Sequence, residues 1–220
     1  VNLARHRGVL LGLALAASVL SACTPVTGSP APAPLQSQSG EPAVGVRPGA
    51  QPTGLGGDAD LDRLAESCGE GVLRACDQLV QASPPRSRYE DYGATCGGRN
   101  PRVGSCVTWY TPTVVAQVIR DSYVGSCPPP ASRAPSFRAV IGVQNGPITV
   151  TYQWLTSNGG SSDPSVKTVS FRGTGPQQTT VTFTQTGYRP GQTVNDWIAL
   201  YTVSPVATES NHIGYTTTCQ

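Results

Sequence analysis

Six cysteines spread over residues 68–219, with a seventh at position 23, constrain this 220-residue chain more than any other feature. In an exported chain, Cys68, Cys76, Cys96, Cys106, Cys127 and Cys219 imply three disulfides and a small fold stapled by them. The rival use of such thiols is a metal site. No C-x-x-C spacing occurs, and His212, the one histidine beyond the first 22 residues, lies in a strand-like run far from most of the thiols. The expectation is disulfides, with no metal and no other cofactor.

The N-terminus bears on the compartment. Arg5, His6 and Arg7 precede an apolar run from Gly8 to Leu20 that is too short to span a bilayer comfortably. The run ends in Leu20-Ser21-Ala22-Cys23, which resembles the lipobox of bacterial lipoproteins. That resemblance implies a signal peptide over 1–22, cleavage before Cys23 and a diacylglycerol on its thiol. It implies an extracytoplasmic protein anchored to the outer face of the cytoplasmic membrane. An ordinary secretory signal, with Cys23 incidental, is the alternative. No second apolar stretch approaches ~20 residues, so the expected chain is tethered rather than spanning. Beyond residue 22 the chain carries thirteen basic and thirteen acidic residues. A nucleic-acid binder would show a basic excess, so the membrane contact is expected through the lipid alone. Lys167 is the sole lysine, and this, with the Ala, Gly, Pro and Thr richness, points to an actinobacterial genome.

Residues 23–57 read as the lipidated cysteine and a disordered Pro/Gly/Ser-rich linker, lacking aromatic residues and apolar period. A small helical unit is expected over 58–106. Asp58, Asp60 and Asp62 gather where a helix would begin, and Leu61, Leu64, Ala65 and Cys68 share one face. An EF-hand loop is excluded, since Arg63 and Gly69 stand where it needs Gly and Glu. After Gly69-Glu70-Gly71, a second helix places Val72, Ala75, Cys76 and Leu79 on one face and stops at Ser83-Pro84-Pro85. Ser87-Arg88-Tyr89-Glu90 reads as a capping box opening a third. Cys68 and Cys76 on adjacent antiparallel helices are expected to bridge, leaving Cys96 for Cys106. Cys68–Cys96 with Cys76–Cys106 remains an open alternative. The stretch from Leu64 to Leu79, with Ser87-x-Tyr89-Glu90 and Thr95-Cys96-Gly97-Gly98-Arg99, resembles a small cysteine-bearing helical module of exported actinobacterial proteins. It also resembles, more weakly, one copy of a cysteine-rich helical repeat. Neither likeness implies a catalytic residue.

From residue 112 the period changes to two. Thr113–Asp121, Phe137–Val143 and Ile148–Trp154 alternate, and further strands are expected at 166–172, 179–185, 196–203 and roughly 208–218, separated by turns such as Asn145-Gly146-Pro147 and the loop Asn158-Gly159-Gly160-Ser161-Ser162. Some seven strands of this length fit an antiparallel β-sandwich over 112–220, so the chain reads as mainly β. Gly125-Ser126-Cys127-Pro128-Pro129, Val150-Thr151-Tyr152-Gln153-Trp154, Trp197-Ile198-Ala199-Leu200 and Cys219 resemble an Ig-like module of actinobacterial surface proteins. The likeness implies fold more than function. It departs from antibody domains because its cysteines flank the sandwich, and Cys127–Cys219 reads as a clasp on the chain end.

No catalytic constellation emerges. A Ser-His-Asp site would depend on His212, yet residues adjacent along a strand face opposite ways and no G-x-S-x-G occurs. Paired thiols leave no cysteine nucleophile. The sandwich offers four carboxylates, Asp121, Asp163, Asp196 and Glu209, with Asp196 beside Trp197 at what could be a sugar-binding edge. Tyr188 and Arg189, in the turn Gly187-Tyr188-Arg189-Pro190-Gly191, are the candidate contact residues. The reading is a non-enzymatic binding or scaffolding module that meets an envelope protein or glycan. The alternative is an envelope-acting hydrolase or enzyme regulator, which requires Asp196, Glu209 and His212 to converge in one pocket.

Overall fold

The computed structural model describes residues 45–157, 163 and 165–220. Cys23, the signal segment and the loop at 158–162 lie outside the described residues.

Four helices come first. Helix α1 (Ala59–Glu70) is capped by the Asp58 carboxylate, which accepts from the N–H groups of Asp60 (2.9 Å) and Leu61 (3.1 Å). It ends at Gly71, whose φ of 104° lets the last carbonyls be met without a Cβ clash. Helix α2 (Leu73–Ala82) packs Leu73, Ala75, Cys76 and Leu79 inward, and the Cys68–Cys76 disulfide ties it to α1. Helix α3 (Arg88–Ala94) starts from Ser87, whose hydroxyl accepts from the Glu90 N–H at 3.2 Å. The other half of the expected capping box is altered: the Glu90 carboxylate takes the Arg86 N–H instead. A short helix that the periodicity did not signal, α4 (Cys106–Tyr110), begins where Asp77 accepts from the Cys106 N–H at 2.6 Å and the Ser105 hydroxyl at 2.7 Å. Cys96–Cys106 fastens it to the loop after α3.

The described end of the expected linker belongs to the fold. Residues 45–50 lie along the folded unit as a strap: the Gly49 and Ala50 N–H groups donate to Gly69 and Gly97 carbonyls at 2.8 Å each, and Val46 bridges Ile148. The strap is held by its backbone, so its weakly apolar side chains gave no sign of it. Arg99 adds a side-chain anchor. This residue is 8% exposed, and among the described residues no carboxylate forms an ion pair with it. It donates to the carbonyls of Arg47 (2.6 Å), Cys68 (3.0 Å), Gly69 (2.7 Å) and Cys96. Strap, helix α1 and the loop after α3 therefore meet on one side chain.

The C-terminal part is a mainly antiparallel sandwich of two β-sheets. One sheet is β1 (Thr113–Arg120), β3 (Ser136–Val143) and β6 (Gln177–Thr184) in the order β1-β3-β6. The larger runs β2-β9-β7-β4-β5, from β2 (Ser122–Gly125), β9 (Ile213–Cys219), β7 (Thr193–Ser204), β4 (Ile148–Thr156) and β5 (Lys167–Phe171), with β8 (Thr208–Glu209) also on β7. The count is nine rather than seven, and one pair, β2 with β9, is parallel. Two breaks account for the extra strands, and the first of them also makes the parallel pair. The first strand leaves its sheet at Asp121 and continues as β2 in the other, and the last is interrupted between β8 and β9. Phe137, Ile141, Val150, Ile198 and Leu200 are fully buried between the sheets. Phe137 meets Tyr215 edge-on (5.5 Å) and Trp154 stacks on Phe183 (5.6 Å). Cys127–Cys219 joins the end of β9 to the segment after β2. Buried residues of the helices and the sandwich form one contiguous cluster. Three disulfides in so small a fold indicate an oxidising, extracytoplasmic compartment. Among the described residues, no helix is long and apolar enough to cross a membrane.

Candidate functional site

The interruption between β8 and β9 builds the most developed surface feature. Glu209 is opposite Tyr201 and Ile213 is opposite Ile198, so the last strand holds one residue more than β7 over the same stretch. This is a β-bulge, a device that re-aims side chains. Ser210 turns inward, where its hydroxyl accepts from the Leu200 N–H and its N–H donates to the Leu200 carbonyl, both at 2.9 Å. Asn211 swings to the free edge of β1 and meets both backbone groups of Ala116, at 2.9 and 3.1 Å. His212 is left on the outer face of the larger sheet.

There the imidazole lies flat on the Trp197 indole, with centroids 3.7 Å apart and planes 5° from parallel. Its Nε2 is 2.8 Å from a Glu209 carboxylate oxygen. His212 and Glu209 side chains are roughly half exposed, at 49% and 43%. Ala199 shares this outer face by strand parity yet is fully buried.

The surrounding face is nearly uncharged. Alternation along β4 turns Thr149, Thr151, Gln153 and Leu155 outward. On β5 the outward residues are Thr168 and Ser170; on β9 they are Gly214, Thr216 and Thr218. Among the described residues at the outward strand positions of this sheet, Glu209 is the single carboxylate and no lysine or arginine occurs.

The third member of the hydrolase alternative is elsewhere. Asp196 is opposite Tyr215, whose ring is in the core, so its side chain leaves the sheet on the other face from Trp197. Its carboxylate accepts from the N–H groups of Ser157 (3.2 Å) and Trp197 (2.7 Å). The structure therefore brings Glu209 and His212 together and does not bring Asp196 to them. The one serine of the bulge spends its hydroxyl on backbone.

The contact turn needs correction. Tyr188 is 6% exposed and sits in the core beside Tyr215 and Thr217, because a whole phenol ring gains more from burial than from solvent at a turn tip. Burial raises the Tyr188 and Tyr215 phenols above the ordinary tyrosine range. Arg189 does lie at the exposed turn, its N–H on the Gln192 side chain at 3.2 Å. Among the remaining titratable groups, Asp163 is held at about 2 by hydrogen bonds from Lys167 and Ser165. Burial lowers the Arg99 guanidinium.

A shallow groove of about 410 Å³ lies away from His212, where the strap meets the sheet at Val46, Ile148 and Arg172. It gathers no convergent acid, base and nucleophile. Among the described residues, no cluster of three or more His, Cys, Asp or Glu is placed to hold a metal ion. The stack of His212 on Trp197 escaped the sequence reading because it depends on the extra residue in the bulge. The one available signal was an aromatic and a histidine in neighbouring strand-like runs.

No protein-family model matches the chain, and no curated protein matches it. Solved structures give weak likenesses over half its length. One is the CARDB domain of a Pyrococcus furiosus protein in complex with di-metal ions: 11% identity, TM-score 0.34, covering 51% of this chain and 96% of that one. Another is a β-glucosidase from Listeria innocua in complex with glucose, at 7% identity and TM-score 0.32. It covers 50% of this chain and 16% of that enzyme.

Proposed function

We propose that this protein is a non-enzymatic binding module, held at the outer face of the cytoplasmic membrane by a lipid on Cys23, that engages an envelope component through the outer face of its larger sheet. The observation that carries the reading is the Trp197–His212–Glu209 cluster, presented on a flat, almost uncharged surface. Partly exposed aromatics on rigid sheets, as Trp197 is, serve recognition, because stacking and burial need a fixed platform and no moving proton. The hydrogen bonding around His212 supports the same reading. The Ser210 hydroxyl beside it accepts from the Leu200 N–H, and Asp196 faces the other way.

Sedimentation with isolated envelopes tests this, using the full chain made lipid-free by Cys23→Ser. Saturable binding is expected, weakened about tenfold by Trp197→Ala, the scale of losing one well-packed aromatic contact. Binding untouched by Trp197→Ala would remove the assigned face. Soluble fragments released by the wild type and absent with His212→Ala would establish the hydrolase instead.

A further inference from the structure

The inference concerns the ligand class of that face and rests on the proposed function. We infer that the space over Gly214, beside Trp197, seats one ring of an uncharged polysaccharide, with the indole as its stacking platform.

The two faces of the indole differ. One is covered by His212. Gly214 is directly cross-strand from Trp197, and a Cβ placed on it would meet no heavy atom within 4 Å. The space above Gly214 is thus open, and the notch beside Trp197 lies there. The next cross-strand pair on the same face is Asn195 with Thr216, both exposed. The open space over Gly214 is therefore bordered by Trp197 across the strand pair and by one amide and one hydroxyl, those of Asn195 and Thr216. A pyranose fits that chemistry: its C–H face packs on the π system, and its hydroxyls both donate to and accept from Asn195 and Thr216. An organic cation is held best by a cage of several aromatic rings or by a carboxylate beside the ring, and the notch offers a single ring. Asp196 lies on the opposite sheet face and Glu209 is engaged with His212. Thr151, Gln153 and Thr168, with Thr216 and Thr218, extend the same neutral, hydroxyl-rich surface to further rings, whereas Thr149 and Ser170 border the groove that holds Arg47 and Arg172. His212 does not touch the ligand in this arrangement; it backs the indole and is a positioning residue.

Gly214 makes the inference testable without harming the fold. Its φ is not left-handed and its side is open, so Gly214→Val fits the strand and fills the notch. The lipid-free full chain, with its tryptophan indoles labelled, is titrated with hexasaccharides of glucose, mannose and N-acetylglucosamine and followed by NMR. At least one should move the Trp197 indole signal saturably and leave that of buried Trp154 in place. Gly214→Val should abolish the shift while its unfolding midpoint stays level or rises. His212→Ala should weaken binding a few-fold, and His212→Phe, which keeps the stack, should restore it. Three results overturn the inference: no hexasaccharide moves Trp197, Gly214→Val binds as the wild type does, or a shift arises only at Trp154. Envelope sedimentation separates the two levels. If Gly214→Val loses envelope binding and no hexasaccharide binds, the contact face stands and the glycan falls. If neither assay responds to Gly214→Val or Trp197→Ala, both fall.

Discussion

Replacing Arg99 with methionine keeps most of the apolar stem and removes the guanidinium from four backbone carbonyls, those of Arg47, Cys68, Gly69 and Cys96. A hydrogen bond from a charged donor contributes about 1.5–3 kcal/mol, and a buried acceptor left unpaired costs about 1–3 kcal/mol. Two effects reduce the total. Desolvating the guanidinium costs several kcal/mol in the wild type, and the strap can lift so that water reaches the freed carbonyls. The net loss expected is about 3–5 kcal/mol, as for other buried charges whose partners are orphaned. Arg99→Lys should recover little, because an ammonium lacks the planar fork that reaches three chain segments at once. Denaturant unfolding gives the magnitude, and amide exchange gives the place. The Gly49 and Ala50 amides, bonded to Gly69 and Gly97, should lose protection first, whereas Leu200 in the sandwich should keep its own. A loss under ~1 kcal/mol with Gly49 and Ala50 still protected would refute the assignment of Arg99 as the anchor.

Other perturbations have defined outcomes. Cys127 and Cys219 are 92 residues apart, so replacing both with alanine should cost about 4–5 kcal/mol on the chain-entropy model, read as a lowered denaturant midpoint. Asn211→Ala uncovers both backbone groups of Ala116 on an edge strand that also exposes Val115, Val118 and Ile119. It should cost about 1–2 kcal/mol and promote self-association detectable by sedimentation velocity. The Asp163 carboxyl should titrate near 2 by NMR and return toward the ordinary aspartate range in Lys167→Met. Its folded value is depressed, so its contribution to stability is present above the unfolded aspartate value near 4 and is lost as pH falls through about 2.

Alternation made the sandwich readable: β4 inverts buried and half-buried residues without a break from Ile148 to Thr156, and the sequence Ile-Thr-Val-Thr-Tyr-Gln-Trp displays it directly. Helix faces were readable for the same reason, since Leu61, Ala65 and Cys68 are buried at helical spacing. What escaped was whatever depends on backbone. The strap at 45–50 has the composition of a linker, and it joins the fold through backbone hydrogen bonds and the distant Arg99, neither of which its own side chains announce. The bulge at Ser210 adds a residue of ordinary type, and no local pattern marks which one is extra. It nevertheless decides that Glu209 and His212 share a face with Trp197. Tyr188 illustrates the opposite error, in which turn residues on both sides suggested a tip while the ring itself packs inward.

Hydroxyl-radical footprinting of the full chain, free and then bound to isolated envelopes, tests the assigned contact face most directly. Peptides carrying Trp197 and His212 should be protected by the envelope, while those carrying Val115, exposed on the smaller sheet, should label equally in both states. Equal labelling of Trp197 in the two states, or protection confined to the smaller sheet, would contradict the assignment.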